Sequence, residues 1–167
     1  SPLRRLVLND VGPVIEPASL QRIGSYLGAP ARWATLDEAA DALWAISQGF
    51  GPHTREQWLA LTRPQLKADG DGFRPHYDPA IAVPFRAITP EIAAAGQAML
   101  WQAWDSLKGP VLLLRGAQSD LLSPATARQM TERGPKARLV EFDGVGHAPM
   151  LIQPEQRQAV KDFLLAP

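Results

Sequence analysis

The stretch that decides the fold is Val111-Leu-Leu-Leu-Arg-Gly-Ala-Gln-Ser-Asp120, an apolar run that ends in glycine and polar residues. The run is too short for a helix and lies between Gly109-Pro110 and Gly116, which predicts a buried strand followed by a loop. Ser123-Pro124 comes next and is typical of a helix start, with a capping serine before a proline at the first helical position. The stretch therefore predicts a strand, a loop and a helix in succession.

Similar strand patterns occur on both sides of this stretch. Residues 4–9 (Arg-Arg-Leu-Val-Leu-Asn) form a short apolar run that stops at Asp10-Val-Gly-Pro13, and residues 138–142 (Arg-Leu-Val-Glu-Phe) form another. Pro154 then begins a final helical pattern. Strands that alternate with helices are the signature of a parallel sheet covered by helices. The sequence thus predicts an α/β fold with three parallel strands and flanking helices.

A long region of helical pattern separates the first strand from the second. Thr35-Leu-Asp-Glu38 and Thr54-Arg-Glu-Gln57 have the capping-box pattern, and Thr89-Pro90 puts a cap before another N1 proline. Asp69-Gly-Asp-Gly72 predicts a turn within the region. We therefore expect two parts in the chain: a sheet core formed by residues 1–12 and 106–167, and a helical insertion over residues 13–105.

The composition argues against several classes of function. Seventeen basic residues balance seventeen acidic ones, so charge gives no reason to expect nucleic acid or a membrane as a partner. The chain has no cysteine, which excludes disulfides, thiolate catalysis and cysteine-ligated zinc within it. No apolar run reaches the roughly 18 residues of a membrane helix, and the first ten residues lack the pattern of a signal peptide. We expect a cytoplasmic protein by default.

An acid and a histidine follow two of the predicted strands. Asp120 comes a few residues after the strand at 111–115, and His147 follows the strand at 138–142 within a glycine-rich loop. Functional groups in open parallel sheets gather at the carboxyl ends of the strands, so we expect both residues at one edge. A buried carboxylate that holds an imidazole allows the ring to take a proton from a nucleophile or from water.

Together these segments resemble the C-terminal portion of a protein with the α/β-hydrolase fold. The matching pieces are Leu6-Val-Leu-Asn-Asp-Val-Gly-Pro13, a helical cap, the segment 111–120, Gly144-Val-Gly-His-Ala-Pro149 and a closing helix. The resemblance implies that Asp120 is the acid and His147 the base of a catalytic triad. Asp10 is an alternative acid, because some relatives of this fold carry their acid after the strand that precedes the cap. We favour Asp120, since Gly-Ala-Gln-Ser-Asp matches the family better.

The nucleophile that this resemblance requires is not found in the chain. In the family the nucleophile comes before the acid and the histidine, and its serine lies in Gly-x-Ser-x-Gly. No serine of the chain lies in that pattern: Ser1, Ser19, Ser25, Ser47, Ser106, Ser119 and Ser123. The oxyanion hole belongs to the same missing region. We predict that residues 1–167 alone are inactive, and that they are part of an esterase-like serine hydrolase that uses no metal or organic cofactor.

Two other functions stay open at this point. An epoxide, haloalkane or carbon–carbon bond hydrolase would keep the fold, with an aspartate nucleophile in the first two, and a non-catalytic binding module would use only the capped pocket. We expect a small ester-like substrate, with a pocket lined by aromatic residues of the insertion: Tyr26, Trp33, Trp44, Tyr77 and Trp101. More strands continue past residues 6–8 in the complete fold. We therefore expect this strand to pair with an N-terminal fragment of the same protein or with a second copy.

Overall fold

The computed structural model describes residues 3–14, 17–86 and 88–166. Residues 1–2 and 167 of the predicted core, which include Ser1, and residues 15–16 and 87 of the predicted insertion lie outside these described residues. The strands and α-helices of the described residues are, in chain order, β1 Leu6–Asn9, α1 Pro17–Tyr26, α2 Leu36–Ile46, α3 Arg55–Thr62, β2 Leu66–Asp69, β3 Gly72–Pro75, α4 Val83–Arg86, α5 Pro90–Ser106, β4 Val111–Gly116, α6 Pro124–Glu132, β5 Arg138–Phe142 and α7 Pro154–Leu165.

Three of the strands form a parallel sheet in the order β1–β4–β5. Leu6 lies opposite Val111 at the start of the first pairing, and Leu113 lies opposite Leu139 in the second. Every residue of the central strand β4 is buried. A strand buried on both faces reads as a continuous apolar run, which is why its four consecutive apolar residues predicted it. The predicted α/β fold with three parallel strands and flanking helices is confirmed.

Side chains of the sheet pack against helices on both of its faces. Val111 and Leu113 share a buried cluster with residues of α5 and α6, including Trp104 and Met130. Leu112 and Leu114 point to the opposite face, where they pack with Phe163 of α7. Alternate residues of a strand face opposite sides of the sheet, so one apolar strand supplies both halves of the core.

The helix starts follow the capping residues that the sequence predicted. The Thr54 hydroxyl accepts a hydrogen bond from the Gln57 amide, and the Gln57 side chain accepts one from the Thr54 amide, which completes a capping box. Thr89 and Ser123 cap α5 and α6 in the same manner with their hydroxyl groups. The Thr35 hydroxyl caps α2 by accepting the Glu38 amide. The Glu38 carboxylate accepts the amide of Ala34 and not that of Thr35, so this capping box is not reciprocal.

The chain divides into two compact units. The first consists of Ser1–Leu20, Gly49–Gly51 and Ile88–Pro167, and the second of Gln21–Gln48 and Pro52–Ala87. The insertion expected over residues 13–105 and the second unit differ in extent, since the second unit begins at Gln21, omits residues 49–51 and ends at Ala87. Helix α5 belongs to the first unit, because Trp101 and Trp104 pack against the core of the sheet.

The second unit contains a hairpin as well as helices. Strands β2 and β3 pair antiparallel, with Asp69 opposite Gly72. The two-residue loop between them begins with Gly70, whose φ of 61° lies in the left-handed region that glycine adopts without strain. The sequence predicted the turn but not the two short strands beside it.

In the described part of the chain, no helix is both long and apolar enough to cross a membrane.

Candidate active site

Asp10 and His147 meet at the carboxyl edge of the parallel sheet. Asp10 directly follows β1 and its side chain is fully buried, whereas His147 lies in the loop after β5 and is 24% exposed. Oδ2 of Asp10 lies 2.8 Å from Nδ1 of His147. A carboxylate at this nitrogen favours the tautomer that carries its proton on Nδ1, so Nε2 is the nitrogen that can accept a proton.

The buried carboxylate of Asp10 has hydrogen-bond partners on both oxygens. Its Oδ1 accepts the backbone N–H of Gly116 at 3.0 Å, and its Oδ2 accepts the hydroxyl of Ser119 at 2.6 Å in addition to the histidine contact. Burial of a carboxylate is costly unless it is paired and hydrogen-bonded, and these three partners meet that requirement. The Asp10 backbone has a φ of 57°, a left-handed conformation that aspartate adopts more readily than most residues.

The loop after β4 and the loop after β5 are joined by backbone hydrogen bonds. Gln118 donates its N–H to the carbonyl of Val145, and Ala117 donates to the carbonyl of Phe142, both at 2.9 Å. The two loops also approach closely at Gly116. A Cβ atom there would lie less than 3.0 Å from backbone atoms of Gly146. Glycine is therefore required at this position, because the loops could not otherwise come together.

Two further contacts hold the loop on either side of His147. The Asn9 side chain donates from Nδ2 to the carbonyl of Pro149 at 2.8 Å. On the other side, Gly146 donates its N–H to the carbonyl of Gly49 at 2.5 Å. Gly49 belongs to a short 3₁₀ turn, Gln48–Phe50. Residues 49–51 are part of the first unit, whereas the chain on either side of them, up to Gln48 and from Pro52, is part of the second.

The acid that the sequence favoured is in a different position. The Asp120 side chain is exposed, and its backbone carbonyl accepts a 2.5 Å hydrogen bond from the hydroxyl of Ser19. The loop after β4 turns so that Ser119, one residue earlier, is directed at Asp10. The structure thus brings the alternative acid Asp10, and not Asp120, into the hydrogen bond with Nδ1 of His147.

The aromatic residues expected to line a substrate pocket lie in different units. Tyr26, Trp33, Trp44 and Tyr77 belong to the second unit, and Trp101 belongs to the first. Tyr77 accepts a hydrogen bond from the Gly28 amide at 3.1 Å, and Trp44 packs edge-on against Trp58 with ring centroids 5.0 Å apart. The Arg133 guanidinium lies 4.3 Å from the ring centroid of Trp101. These contacts account for packing within each unit, and a role in binding substrate stays a prediction.

Three residues that shape the site were missed by sequence reasoning. The sequence pattern indicates Gly116 only as the end of the strand at 111–115 and Asn9 only as the last residue of the strand at 4–9. It indicates Ser119 only as the neighbour of Asp120. Each lies within three residues of a strand end, where functional groups gather in parallel sheets. That position was the only signal in the sequence, because their partners are distant along the chain.

Comparison with known proteins identifies relatives along nearly the whole chain. Residues 3–162 match the family described as the alpha/beta hydrolase family. The chain is 49% identical, over 167 residues, to a 3-hydroxybutyrate-oligomer hydrolase of Cupriavidus necator. This match covers 98% of this chain and 57% of that protein. A shorter match, 45% identical over 56 residues, covers 33% of this chain and 22% of a pimeloyl-[acyl-carrier protein] methyl ester esterase of Aromatoleum aromaticum.

Solved structures agree with this likeness. An alpha/beta hydrolase from Novosphingobium aromaticivorans is 34% identical with a TM-score of 0.76, and the match covers 95% of this chain and 55% of that one. A structure from Rickettsia typhi has a TM-score of 0.81 at 27% identity, with 97% and 53% of the two chains covered. The chain therefore spans about half the length of the relatives that it matches from end to end.

Proposed function

Because this chain belongs to the alpha/beta hydrolase family, we propose that it carries the acid and the base of an ester hydrolase, Asp10 and His147. The observation that carries the proposal is the 2.8 Å contact between Oδ2 of Asp10 and Nδ1 of His147. Burial of the carboxylate supports it further, since a charge removed from water interacts more strongly with the imidazolium that forms during catalysis.

The reaction proposed for this pair is acyl transfer to water. Nε2 of His147 takes the proton of the nucleophile, whose oxygen attacks the ester carbonyl carbon. The imidazolium then gives that proton to the departing alcohol, and a water molecule releases the acid by the same two steps. Throughout the cycle, Asp10 keeps the ring oriented and stabilises its positive charge while remaining ionised itself.

The nucleophile of this reaction is proposed to come from outside residues 1–167. None of the seven serines lies in Gly-x-Ser-x-Gly, and the oxyanion hole of the family is formed partly by the residue after the nucleophile. Without these groups little of the rate enhancement remains. We therefore propose that the 167 residues alone do not hydrolyse esters at enzymatic rates.

The proposed substrates are short oligoesters of 3-hydroxybutyrate. Support comes from the 49% identity with a protein named for the hydrolysis of such oligomers. The second curated relative is also named as an ester hydrolase. Both names favour ester cleavage over epoxide, haloalkane or carbon–carbon bond hydrolysis, and over a module that only binds its ligand.

The test uses the protein as its gene encodes it, with the dimer and trimer of 3-hydroxybutyrate as substrates and p-nitrophenyl butyrate as a general ester. Asp10→Asn and His147→Ala should each lower kcat by about 10³- to 10⁴-fold, because both remove the oriented base. Asp120→Asn should stay within about threefold of the wild type, because its side chain is exposed and Nδ1 of His147 is hydrogen-bonded to Asp10 instead.

Three results would change the proposal. Loss of activity in Asp120→Asn with activity kept in Asp10→Asn would return the role of acid to Asp120. Cleavage of p-nitrophenyl butyrate without cleavage of the 3-hydroxybutyrate oligomers would keep the ester hydrolase and remove its proposed substrate. Enzymatic turnover by residues 1–167 alone would contradict the proposed origin of the nucleophile.

A further inference from the structure

Ser119 occupies an unusual place in the hydrogen bonds around Asp10. Its hydroxyl oxygen lies 2.6 Å from Oδ2 of Asp10 and accepts the backbone N–H groups of Leu121 and Leu122, each at 3.2 Å. A serine hydroxyl has one proton and two acceptor lone pairs. With two N–H groups directed at the oxygen, the proton is left for the carboxylate, so Ser119 donates and ionised Asp10 accepts.

The position of Ser119 is fixed from both sides of its loop. On one side, the Ser119 amide donates to the carbonyl of Gly116 at 2.9 Å. The buried hydroxyl of Ser19 donates to the carbonyl of Asp120, the residue after Ser119. On the other side, the buried guanidinium of Arg115 donates from Nε to the carbonyl of Leu122 at 2.9 Å. Hydrogen bonds to backbone carbonyls therefore hold the turn, and the amides of Leu121 and Leu122 hold the Ser119 hydroxyl beside Asp10.

We propose that Ser119 is a positioning residue, whose hydroxyl holds Oδ2 of Asp10 in the orientation that His147 requires. The inference rests on the proposed roles of Asp10 and His147. The Gly116 amide fixes Oδ1 of Asp10, and Ser119 fixes Oδ2, the oxygen that also binds Nδ1 of His147. Without the hydroxyl, Oδ2 keeps only the imidazole, and the Gly116 amide alone is left to oppose rotation of the carboxylate.

The test compares Ser119→Ala with wild type in the protein as its gene encodes it, using p-nitrophenyl butyrate. We expect kcat to fall about tenfold, the loss expected for one hydrogen bond to a charged group, with KM within about twofold. The matched pair Ser119→Thr and Ser119→Val has nearly the same shape and differs in the hydroxyl. Thr should keep kcat within about threefold of wild type, and Val should behave like Ala.

The control is Ser123→Ala, four residues along the same segment. The Ser123 hydroxyl caps α6: it accepts the Thr126 amide and donates to the Thr126 hydroxyl. Ser123→Ala should lower the Tm and leave kcat within about twofold. A merely structural role for Ser119 would give the same result, a lower Tm with an unchanged kcat, and would overturn the inference.

Asp10→Asn is measured in parallel so that the two proposals can fail separately. If Asp10→Asn is inactive while Ser119→Val matches Ser119→Thr in kcat, the proposed function stands and the role of Ser119 is refuted. If Asp10→Asn keeps wild-type activity, the proposed function fails and the inference about Ser119 fails with it. If Ser119→Ala does not fold, the comparison of Val with Thr decides the question alone.

Discussion

Gly116 donates its backbone N–H to Oδ1 of Asp10 at 3.0 Å, a hydrogen bond that joins the carboxyl ends of β4 and β1. The same residue lies where the histidine loop crosses, with no room for a Cβ atom beside the Gly146 carbonyl. One glycine thus fixes the acid through its amide and admits the histidine loop through its missing side chain.

Gly116→Ala should therefore damage both stability and activity. Overpacking against backbone atoms, which cannot rotate away, costs about 1–3 kcal/mol or more. We expect a fall of that size in the free energy of unfolding in urea, together with a loss of kcat because the loop that carries His147 must move. The matched control is Gly96→Ala on α5, where an added Cβ meets nothing within 4 Å. That change should raise stability by about 0.5–1 kcal/mol, and equal effects of the two substitutions would contradict the argument.

Removing Arg115 from its ion pair with Glu141 should lower the free energy of unfolding more than removing Glu141 does. Arg115 is only 3% exposed and also donates to the carbonyl of Leu122, whereas Glu141 is 46% exposed. Arg115→Met leaves a buried carbonyl without its donor and should cost about 2–3 kcal/mol. Glu141→Gln keeps an acceptor at a half-exposed position and should cost less than about 1 kcal/mol. Urea unfolding of both variants measures the difference, and a larger loss in Glu141→Gln would refute this account.

The contact between Asp105 and Arg133 should make stability depend on pH in a defined direction. The hydrogen bond from the Arg133 guanidinium lowers the pKa of the Asp105 carboxyl below its ordinary value. A lowered pKa in the folded state stabilises the fold above the unfolded pKa of about 4, and that contribution is lost as the pH falls through the lowered value. Wild type should thus be more stable than Asp105→Asn at pH 7, and the gap should narrow below about pH 4. Urea midpoints across this range provide the measurement, and a gap that is independent of pH would argue against the interaction.

The outer edge of β1 stays our predicted surface for pairing with another strand. Leu6 and Asp10 donate their N–H groups to carbonyls at β4, so the alternation of the strand directs the Val7 N–H to the other edge. Val7→Pro removes that donor without breaking the ladder to β4. If the 167-residue chain associates through this edge, Val7→Pro should lower its sedimentation coefficient to that of a monomer. Val7→Ala should leave the sedimentation coefficient unchanged. A wild-type chain that sediments as a monomer would contradict the prediction.

The sequence predicted best those features that depend on residues close together in the chain. The apolar run 111–114 could only be a buried strand, and Thr54, Thr89 and Ser123 cap helices through amides three residues away. The hairpin at 66–75 was not predicted because its strands have only four residues each, too few for a periodic pattern to identify them. The apolar stripe of α5 indicates that the helix packs, but the packing of Trp101 and Trp104 on the sheet core is visible only in the structure.

The choice of acid required information that no local pattern contains. Asp10 and Asp120 both follow strands that end at the same edge of the sheet, so position alone allowed either. Which of the two contacts Nδ1 of His147 depends on the path of the loop after β4, where Ser19 and Arg115 hold the carbonyls on both sides of the turn. Those contacts span up to 101 residues of sequence. The family pattern at 116–120 therefore favours Asp120, whereas the carboxylate hydrogen-bonded to Nδ1 of His147 in the structure is that of Asp10.

The hydrogen bond from Gly146 to the carbonyl of Gly49 limits how this protein can be recombined with its relatives. A chimera that exchanges residues 21–87 as one block would replace a carbonyl that the histidine loop uses, together with the helices around it. Residues 49–51 would instead have to come from the same protein as the sheet, because they belong to the first unit. Because Trp44 packs on Trp58 and Gly28 donates to Tyr77, residues 21–48 and 52–87 would have to be exchanged together, with residues 49–51 of this protein kept between them.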